Sequence, residues 1–254
     1  MSTVEPTWLA SARVQAEASF VRLGLPRTDD ESWHYTSLSP WASRLTAPGR
    51  GVSAQQTAQA TELLARAPAI DGPRLVFVDG RYAPELSSAT GAPMEALSVA
   101  VPREAASPVG VLGALAEAPA NGLVALNAAR FSDGALVRVP RRATLDRPLV
   151  LVFVATDAAT SSDTSTTHVR TRLEVAADAR AHVVEVHLGG AGSSTSSVTD
   201  VVVGPGAELH YTRVHDEPDT AVHLGRVEIR HHEQSRFHGA SLILAGKLQR
   251  VELV

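Results

Sequence analysis

The sequence predicts a mainly β protein, a parallel β-helix (a solenoid) preceded by a small helical region. The main observation is a pattern in Leu173–His187 that recurs in Val201–His215 at a constant offset of 28 residues. In each copy, a β-rich run leads through a corner of small residues into a second run of alternating character. Repetition at a fixed offset of this size is typical of stacked structural repeats. The matched pairs are Val175 and Val203, Ala179 and Ala207, His182 and His210, and His187 and His215.

Two further spacings extend the repeat on either side. Val139 lies 36 residues before Val175, and the run Val227–Ile229 is placed 26 residues after Val203. Coils of constant length joined by loops of variable length would give such spacings. Small residues at the corners are expected to let the backbone turn sharply.

Two loops are predicted to absorb the differences in spacing. Thr156–Thr167 and Gly189–Ser197 are rich in Ser, Thr and Gly and are expected to be exposed. A β-sandwich is the alternative fold, because its short strands and turns look similar locally. It does not predict a repeated offset near 28 residues, so the β-helix is favoured.

The N-terminal region, residues 1–70, is predicted to be helical. Apolar residues recur at spacings of three and four in residues 7–23, which predicts a helix that Thr7 could cap. Ser53 is predicted to cap a second helix that extends to about Arg66.

An acidic turn between these helices leads to Trp33 and Tyr35. We expect both aromatics to anchor their loop on the first helix, with a docking surface as the alternative. Residues 71–122 are predicted to be a mixed α/β connection. It contains a strand that enters a hairpin turn at Asp79–Gly80 and a short helical piece at Gly110–Glu117.

Residues 123–254 are predicted to form the β-helix, incomplete at its C-terminal end. The helical period is expected to disappear from Leu123 onward, where the run Leu123–Phe131 leads to a second Asp-Gly turn at Asp133–Gly134. Strands are predicted at residues 136–139 and 148–154, on the two sides of a corner.

Composition excludes several classes of function. A net charge of -4 and a pI near 6.2 argue against a nucleic-acid-binding face. The chain of 254 residues has no cysteine, which excludes disulfides, zinc–thiolate sites and cysteine nucleophiles. The N-terminus has no secretory pattern, and the longest strongly apolar run, Leu149–Ala155, is too short to span a membrane. A cytoplasmic protein is expected.

The histidines raise the question of a metal site, because nine of the ten lie in residues 168–238. Stacked repeats would place His187 over His215, or His182 over His210. His182 and His187 are five residues apart and should face opposite sides of a strand, so at most one pair is expected to meet. Two imidazoles without a nearby carboxylate or thiolate make a poor metal site. The sequence therefore predicts that these histidines are solvent-exposed residues stacked along the strands, without a metal.

The remaining polar positions also predict no site. The repeat places Glu185 beside Arg213, which is interpreted as an ordinary surface ion pair. His231–Glu233 is interpreted as a polar turn at a corner. The phosphate-binding, Gly-x-Ser-x-Gly and His-Glu-x-x-His motifs are absent from the sequence. The sequence therefore predicts no catalytic, cofactor-binding or metal-binding residue.

Several motifs follow one another along the chain: Phe20–Pro26, Asp30–Thr36, Val76–Tyr82, Leu126–Pro140, Arg147–Leu149, His168–Arg172 and Leu244–Arg250. In this order, and with the two repeats, they resemble the SufB/SufD family of the SUF iron–sulfur cluster assembly system. The resemblance implies a right-handed parallel β-helix between helical terminal regions. It also implies a non-catalytic scaffold subunit that works with SufB and the ATPase SufC. The complex handles the iron–sulfur cluster, and no cofactor is expected on this chain alone.

The chain departs from the family pattern because it stops early, in the alternating run Leu248–Val254. We expect a truncated chain whose open β-helix end could self-associate, and no family ligand or interface residue is carried over to it. Two alternative functions stay open: a β-helix carbohydrate-active enzyme and a stand-alone β-solenoid interaction module. The enzyme would need charged side chains clustered in a groove along the stacked strands.

Overall fold

A computed structural model describes residues 5–47, 49, 52–103, 121–157 and 165–254. Its α-helices are α1 (Thr7–Leu23), α2 (Ala42–Thr46), α3 (Ala54–Leu64), α4 (Leu97–Ala100) and α5 (Gly122–Arg130). The predicted helix over residues 7–23 is confirmed as α1. The predicted helical piece Gly110–Glu117 lies outside the described residues. Among the helices of the described ranges, none is long and apolar enough to cross a membrane.

The helix starts follow local capping chemistry. Ser53 caps α3 through a capping box: its Oγ accepts from the Gln56 backbone N–H at 3.4 Å, and Gln56 Oε1 accepts from the Ser53 N–H at 2.7 Å. This confirms the prediction for Ser53. Thr7 is not a cap, because Pro6 occupies the cap position of α1 and no side chain bonds there. The fixed φ of proline suits a helix start without that bond.

Twelve strands are found in the described residues, and they form two six-stranded sheets. The strands are β1 (Arg74–Val78), β2 (Arg81–Tyr82), β3 (Met94–Ala96), β4 (Asp133–Val139), β5 (Leu149–Ala155), β6 (Thr167–Val175), β7 (Arg180–Gly189), β8 (Ser194–Val203), β9 (Glu208–Asp216), β10 (Val222–His231), β11 (Arg236–Ile243) and β12 (Leu248–Leu253). Sheet 1 has the order β11-β9-β7-β5-β1-β2, and sheet 2 has the order β12-β10-β8-β6-β4-β3.

From β4 onward, consecutive strands alternate between the two sheets. From β6 onward, each strand pairs in parallel with the strand two places earlier, which lies in the same sheet. The antiparallel pairs are β1 with β2 and β3 with β4. Interleaved parallel sheets are consistent with the predicted β-helix. They do not fit the β-sandwich alternative, whose sheets are antiparallel.

The strand register confirms the 28-residue repeat. Val175 pairs with Val203, and His187 pairs with His215. Val139 pairs with Val175, as the spacing of 36 predicts. The spacing of 26 for the run at Val227 is wrong, because β10 pairs with β8 at the same offset of 28, with Ile229 beside Val201.

The corners turn through residues with positive φ at equivalent places in successive coils. Arg142, Asp178, Gly206 and Gln234 have φ values of 61, 62, 67 and 56°. Only one of the four is glycine, so the expected small residues do not account for the turns. Left-handed backbone at non-glycine residues is uncommon. Here, hydrogen bonds between the corners of neighbouring coils hold the backbone in this conformation. The Asp178 N–H, for example, donates to the Pro205 carbonyl at 2.9 Å.

The two Asp-Gly pairs differ in structure. Asp79 and Gly80 form the hairpin between β1 and β2 with φ values of 44 and 77°, so the first prediction is confirmed. Asp133 and Gly134 lie inside β4, so the second predicted turn is wrong. A Cβ on Gly134 would lie 1.6 Å from the Arg170 carbonyl oxygen, and glycine is required by this close approach.

The run Leu123–Phe131 is helical, not β, and the prediction for it is wrong. It forms α5, which begins at the cap residue Asn121, whose Oδ1 accepts from the Leu123 N–H at 2.8 Å. Asn127 anchors α5 on sheet 2, since its Nδ2 donates to the Val169 and Ser196 carbonyls at 3.1 and 3.0 Å.

The two predicted loops are largely buried where the structure describes them. Ser194–Ser197 belongs to β8 and is buried, and Gly189 ends β7. Thr156 and Thr166 are also buried, while residues 158–164 lie outside the described ranges. Hydroxyl side chains satisfy one another inside the fold, as in the 2.9 Å bond between Thr166 Oγ1 and Ser194 Oγ. A polar composition therefore did not mean exposure.

An apolar core lies between the two sheets, and helices cover their outer faces. α3 packs on the outer face of sheet 1 through Ala60 and Leu63. α1, α4 and α5 pack around Leu136 of sheet 2. Trp33 is buried, as predicted, but it packs near Leu224 of sheet 2 instead of on α1. Tyr35 is 96% exposed, so its predicted packing is wrong.

Candidate functional site: a buried polar cluster between the sheets

The apolar interior is interrupted by a group of buried polar side chains, here called the buried cluster. Each member is at most 2% exposed. Two come from β7, two from β9, one from β10 and one from the segment that joins β9 to β10. They are Glu185, His187, Arg213, His215, Glu217 and His223.

Strand alternation places these side chains inside. Glu185 and His187 are two residues apart in β7, and Arg213 and His215 occupy the paired positions of β9. Because alternate residues of a strand share a face, all four point the same way as the core residue Tyr211. The parallel register then stacks like positions from one coil to the next.

A ladder of four rings crosses sheet 1 on this inner face. Phe77 stacks on Phe153, Phe153 on His187, and His187 on His215, with centroid distances of 5.0, 5.2 and 4.9 Å and interplanar angles of 16 to 17°. The two phenylalanines continue the apolar core, whereas the two imidazoles bring nitrogen atoms into it. The polar site thus begins where the aromatic ladder changes from Phe to His.

Glu185 is the centre of the first half of the cluster. Arg213 Nη2 lies 3.2 Å from its Oε1, His187 Nε2 lies 2.7 Å from Oε1, and the Tyr211 hydroxyl donates to Oε2 at 2.6 Å. Burial opposes ionisation, but the Arg213 guanidinium and the bond to His187 hold the pKa of Glu185 well below its ordinary value. This carboxylate is therefore ionised inside the protein.

Glu217 is the centre of the second half. Its Oε2 lies 3.2 Å from His215 Nδ1 and 2.9 Å from His223 Nδ1, and it accepts from Gln249 Nε2 at 2.8 Å. Burial again opposes ionisation, but the charge of His223 and the bond from His215 keep the pKa of Glu217 well below its ordinary value. A second buried carboxylate is thus held close to two imidazoles.

Burial lowers the pKa of His187 to about 3 and that of His215 to about 4, so both rings are neutral at pH 7. In the described structure, His187 Nδ1 and His215 Nε2 lack a hydrogen-bond partner, as do Arg213 Nε and Nη1. Unsatisfied buried polar atoms are unusual in native proteins. A polar interior with spare nitrogen donors and acceptors can bind a small cation or transfer protons.

A second histidine group lies on the exposed outer part of sheet 1. His182, His210 and His238 continue one another at intervals of 28 residues, and His210 stacks on His238 at 4.5 Å. His210 Nε2 lies 3.0 Å from Glu208 Oε1, and His238 Nε2 lies 3.8 Å from the same oxygen. This group is called the exposed ladder.

Several sequence predictions at these residues are wrong. Glu185 and Arg213 form a buried pair, not a surface pair, because both lie on the inner face. The prediction of solvent-exposed histidines fails for His187 and His215, which are buried. Both stacked pairs meet, since the rings of His182 and His210 are 6.2 Å apart. The exposed polar corner at residues 231–233 is confirmed.

Sequence reasoning missed Glu217 and His223. One signal existed, since Glu217 follows His215 by two residues and so shares its strand face. His223 had no comparable signal, because its position depends on the path between β9 and β10. The prediction that the chain has no site residue stays a prediction.

Two family models match consecutive parts of the chain. The model described as "SufBD protein N-terminal region" matches residues 2–151, and "SUF system FeS cluster assembly, SufBD core domain" matches residues 156–254. The "Iron-sulfur cluster assembly protein SufD" of Escherichia coli (strain K12) is 28% identical over 232 residues, which are 91% of this chain and 52% of that protein. An "Iron-sulfur cluster assembly SufBD family protein" of Synechocystis sp. is 27% identical over 269 residues, covering 100% of this chain and 57% of that protein. The chain thus spans about half the length of the curated relatives it matches.

Proposed function

Since the chain belongs to the SufBD family of the SUF iron–sulfur cluster assembly system, we propose that it is a non-catalytic scaffold subunit of that system. The observation that carries the proposal is the order and extent of the two family matches, which together cover residues 2–151 and 156–254. An iron–sulfur cluster is the cargo of the assembled complex in this proposal. The partners are homologues of SufB and of the ATPase SufC, in the cytoplasm.

The architecture supports a scaffold role. In this proposal the interleaved parallel sheets are the two faces of a right-handed parallel β-helix, a shape suited to holding partners at fixed separations. Side-chain ion pairs link neighbouring coils of sheet 2: Arg138 lies 3.3 Å from Glu174, and Arg172 lies 2.6 Å from Asp200. Arg226 joins β10 to β12 through Glu252 at 3.1 Å. Such cross-strand pairs resist sliding of one coil over the next.

The carbohydrate-enzyme alternative has less support. The two carboxylates that could best serve as a catalytic pair are those of Glu185 and Glu217. Both side chains are at most 1% exposed and face the interior. A polysaccharide needs an open groove. The interaction-module alternative predicts binding without the SUF partners and is separated by the experiment below.

Co-purification from the native host tests the proposal. An affinity tag placed at the N-terminus of the chromosomal gene isolates the product as the cell makes it. We expect SufB and SufC homologues to co-purify with it in near-stoichiometric amounts and to survive gel filtration. Recovery of the tagged product without either partner, in cells where both are expressed and folded, contradicts the proposal. Recovery with unrelated partners alone favours the interaction module.

A pair of variants, one disruptive and one control, shows whether binding of the partners depends on the folded sheets. Gly134→Val places a side chain against the Arg170 carbonyl, at a position where even a Cβ would lie 1.6 Å from that oxygen. We expect this variant to lose both partners. Tyr35→Ser alters a side chain that is 96% exposed. Retention of the partners by Tyr35→Ser also argues against the docking-surface alternative for this aromatic.

A further inference from the structure

We propose that His215, Glu217 and His223 form a binding site for one divalent transition-metal ion inside the protein. This inference goes beyond the scaffold function and does not rest on it. It also differs from the prediction made from sequence, which rejected a metal site because no carboxylate was expected near two imidazoles. The structure supplies both the carboxylate and a further imidazole.

The spacing of the ligand atoms fits one ion. His215 Nδ1 and His223 Nδ1 lie 3.2 and 2.9 Å from Glu217 Oε2, and one ligand atom from each of the three residues lies within 4.8 Å of the others. With metal–ligand bonds of about 2.1 Å, neighbouring ligand atoms are about 3.0 Å apart in an octahedron and about 3.4 Å apart in a tetrahedron. The ion would take the place of the protons that now bridge these atoms.

Neighbouring groups hold the two rings in place. His223 Nε2 lies 2.8 Å from Ser197 Oγ, which in turn accepts from Arg213 Nη2 at 3.0 Å. His215 is fixed by its stacking on His187 at 4.9 Å. A hydrogen bond to the far nitrogen of a metal-binding imidazole orients the ring and selects its tautomer. Ser197 is in the position for that role at His223.

The charge balance of the cluster also favours a cation. Arg213 pairs with Glu185 at 3.2 Å. Within the described ranges, the salt bridges of Glu217 are made with His215 and His223 and with no lysine or arginine. A carboxylate that is 1% exposed and lacks a permanent counter-charge is costly. A divalent ion would supply that counter-charge.

Gln249 could supply a fourth ligand, its amide oxygen, and a point of entry. Its Nε2 lies 2.8 Å from Glu217 Oε2, while its Oε1 is buried and has no partner in the described structure. A half-turn of the amide exchanges these two atoms and directs the oxygen at the ion. Among the described hydrogen-bond partners of Glu217, Gln249 is the partly exposed one. Movement of this side chain would open the site.

The ligand set selects the class of ion. Two imidazoles with carboxylate and amide oxygens suit Zn²⁺, Fe²⁺ and Co²⁺, whereas Mg²⁺ and Ca²⁺ prefer oxygen ligands alone. The exposed ladder offers similar atoms, but Arg236 lies 3.8 Å from Glu208 there and competes for its charge. The exposed ladder therefore serves as the internal control.

Cobalt tests the site, because Co²⁺ is visible by absorption and by anomalous X-ray scattering. The chain is purified, treated with chelator, loaded with Co²⁺ and challenged with excess Mg²⁺. We expect one Co²⁺ per chain that Mg²⁺ does not displace. Glu217→Gln and His223→Gln should lower the affinity at least tenfold. Ser197→Ala should lower it about 10–100-fold, the range typical of groups that orient a metal ligand. His210→Gln, in the exposed ladder, should leave it unchanged.

An anomalous map of Co²⁺-loaded crystals locates the ion without any variant, so the test does not depend on how the variants fold. A peak between His215, Glu217 and His223 supports the proposal. A peak at the exposed ladder, no peak, or loss of binding in His210→Gln but not in Glu217→Gln would overturn it.

Discussion

Replacing Arg213 with methionine should strongly destabilise the chain, because it leaves a charge unpaired in the interior. Arg213 Nη2 lies 3.2 Å from Glu185 Oε1 and also donates to Ser197 Oγ at 3.0 Å. The side chains of Arg213 and Glu185 are 2 and 1% exposed, so water cannot solvate the carboxylate that remains.

The size of the effect follows from that burial. Breaking a buried ion pair by removing one partner costs about 3–5 kcal/mol. Arg213 Nε and Nη1 already lack hydrogen-bond partners in the described structure, so part of the desolvation cost is present before the mutation. We therefore expect a loss near the lower end, about 3 kcal/mol. Adding Glu185→Gln removes the unpaired charge and should recover more than half of it.

Urea denaturation followed by circular dichroism, with chelator present, measures the four corners of this double-mutant cycle. Arg147→Met is the matched control, because Arg147 and Asp71 form an exposed pair at 3.5 Å with side chains 63 and 89% exposed. It should cost less than about 0.5 kcal/mol. A loss below about 1 kcal/mol for Arg213→Met, or no recovery in the double variant, would show that Glu185 is not left as an unpaired buried charge.

Two further predictions concern pH and backbone approach. Burial, with a contribution from the charge of Arg130, lowers the pKa of His168 from 6.5 to about 3. Below pH 6.5 the unfolded chain therefore binds a proton that the folded chain does not. Stability is full above pH 6.5 and falls as the pH drops toward 3, by about 1.4 kcal/mol per such histidine between pH 7.5 and 5.5. In urea titrations at several pH values, His168→Asn should reduce the pH dependence of the free energy of unfolding, and the exposed control His232→Asn should not. If the free energy of unfolding depends equally on pH in both variants, the low pKa of His168 is contradicted. Gly134→Ala should lower stability by about 3 kcal/mol through overpacking. Gly49→Ala, whose Cβ meets no atom closer than 3.4 Å, should change it little, and similar melting curves for the two variants would disprove the close approach.

The repeat made the register predictable. Each coil places like residues at like heights, so the offset of 28 gave the pairing of Val175 with Val203 without further information. The Ser53 cap and the Asp79–Gly80 hairpin were predictable for a different reason, since each is decided by a few adjacent residues.

The repeat does not predict which side of the sheet the polar side chains occupy. An offset fixes which residues are neighbours but not which side of the sheet is covered. β7 is buried on both faces, because α3 packs on its outer side, so its sequence lacks a polar face that would have identified the inner one. Glu185 therefore looked like a surface residue. Glu217 lies in the segment between β9 and β10, and His223 lies near the start of β10. The path of that segment places both residues in the buried cluster, and the sequence does not define that path.

The run Leu123–Phe131 failed because short apolar segments fit both helix and strand. Its alanines suit a helix, and Asn121 supplies the cap that decides the outcome. The residues that follow form mostly β structure, but this does not predict the structure of residues 123–131. That segment packs on the outside of sheet 2 through Asn127.

The proposed scaffold function requires that the amount of iron–sulfur cluster on the complex depends on this product. SufB and SufC homologues from the same host are purified with and without the product, supplied with iron and sulfide under anaerobic conditions, and analysed for bound iron and acid-labile sulfide. We expect more iron and acid-labile sulfide per SufB when the product is present. Equal amounts in the two preparations, with the product shown to be bound, would contradict it.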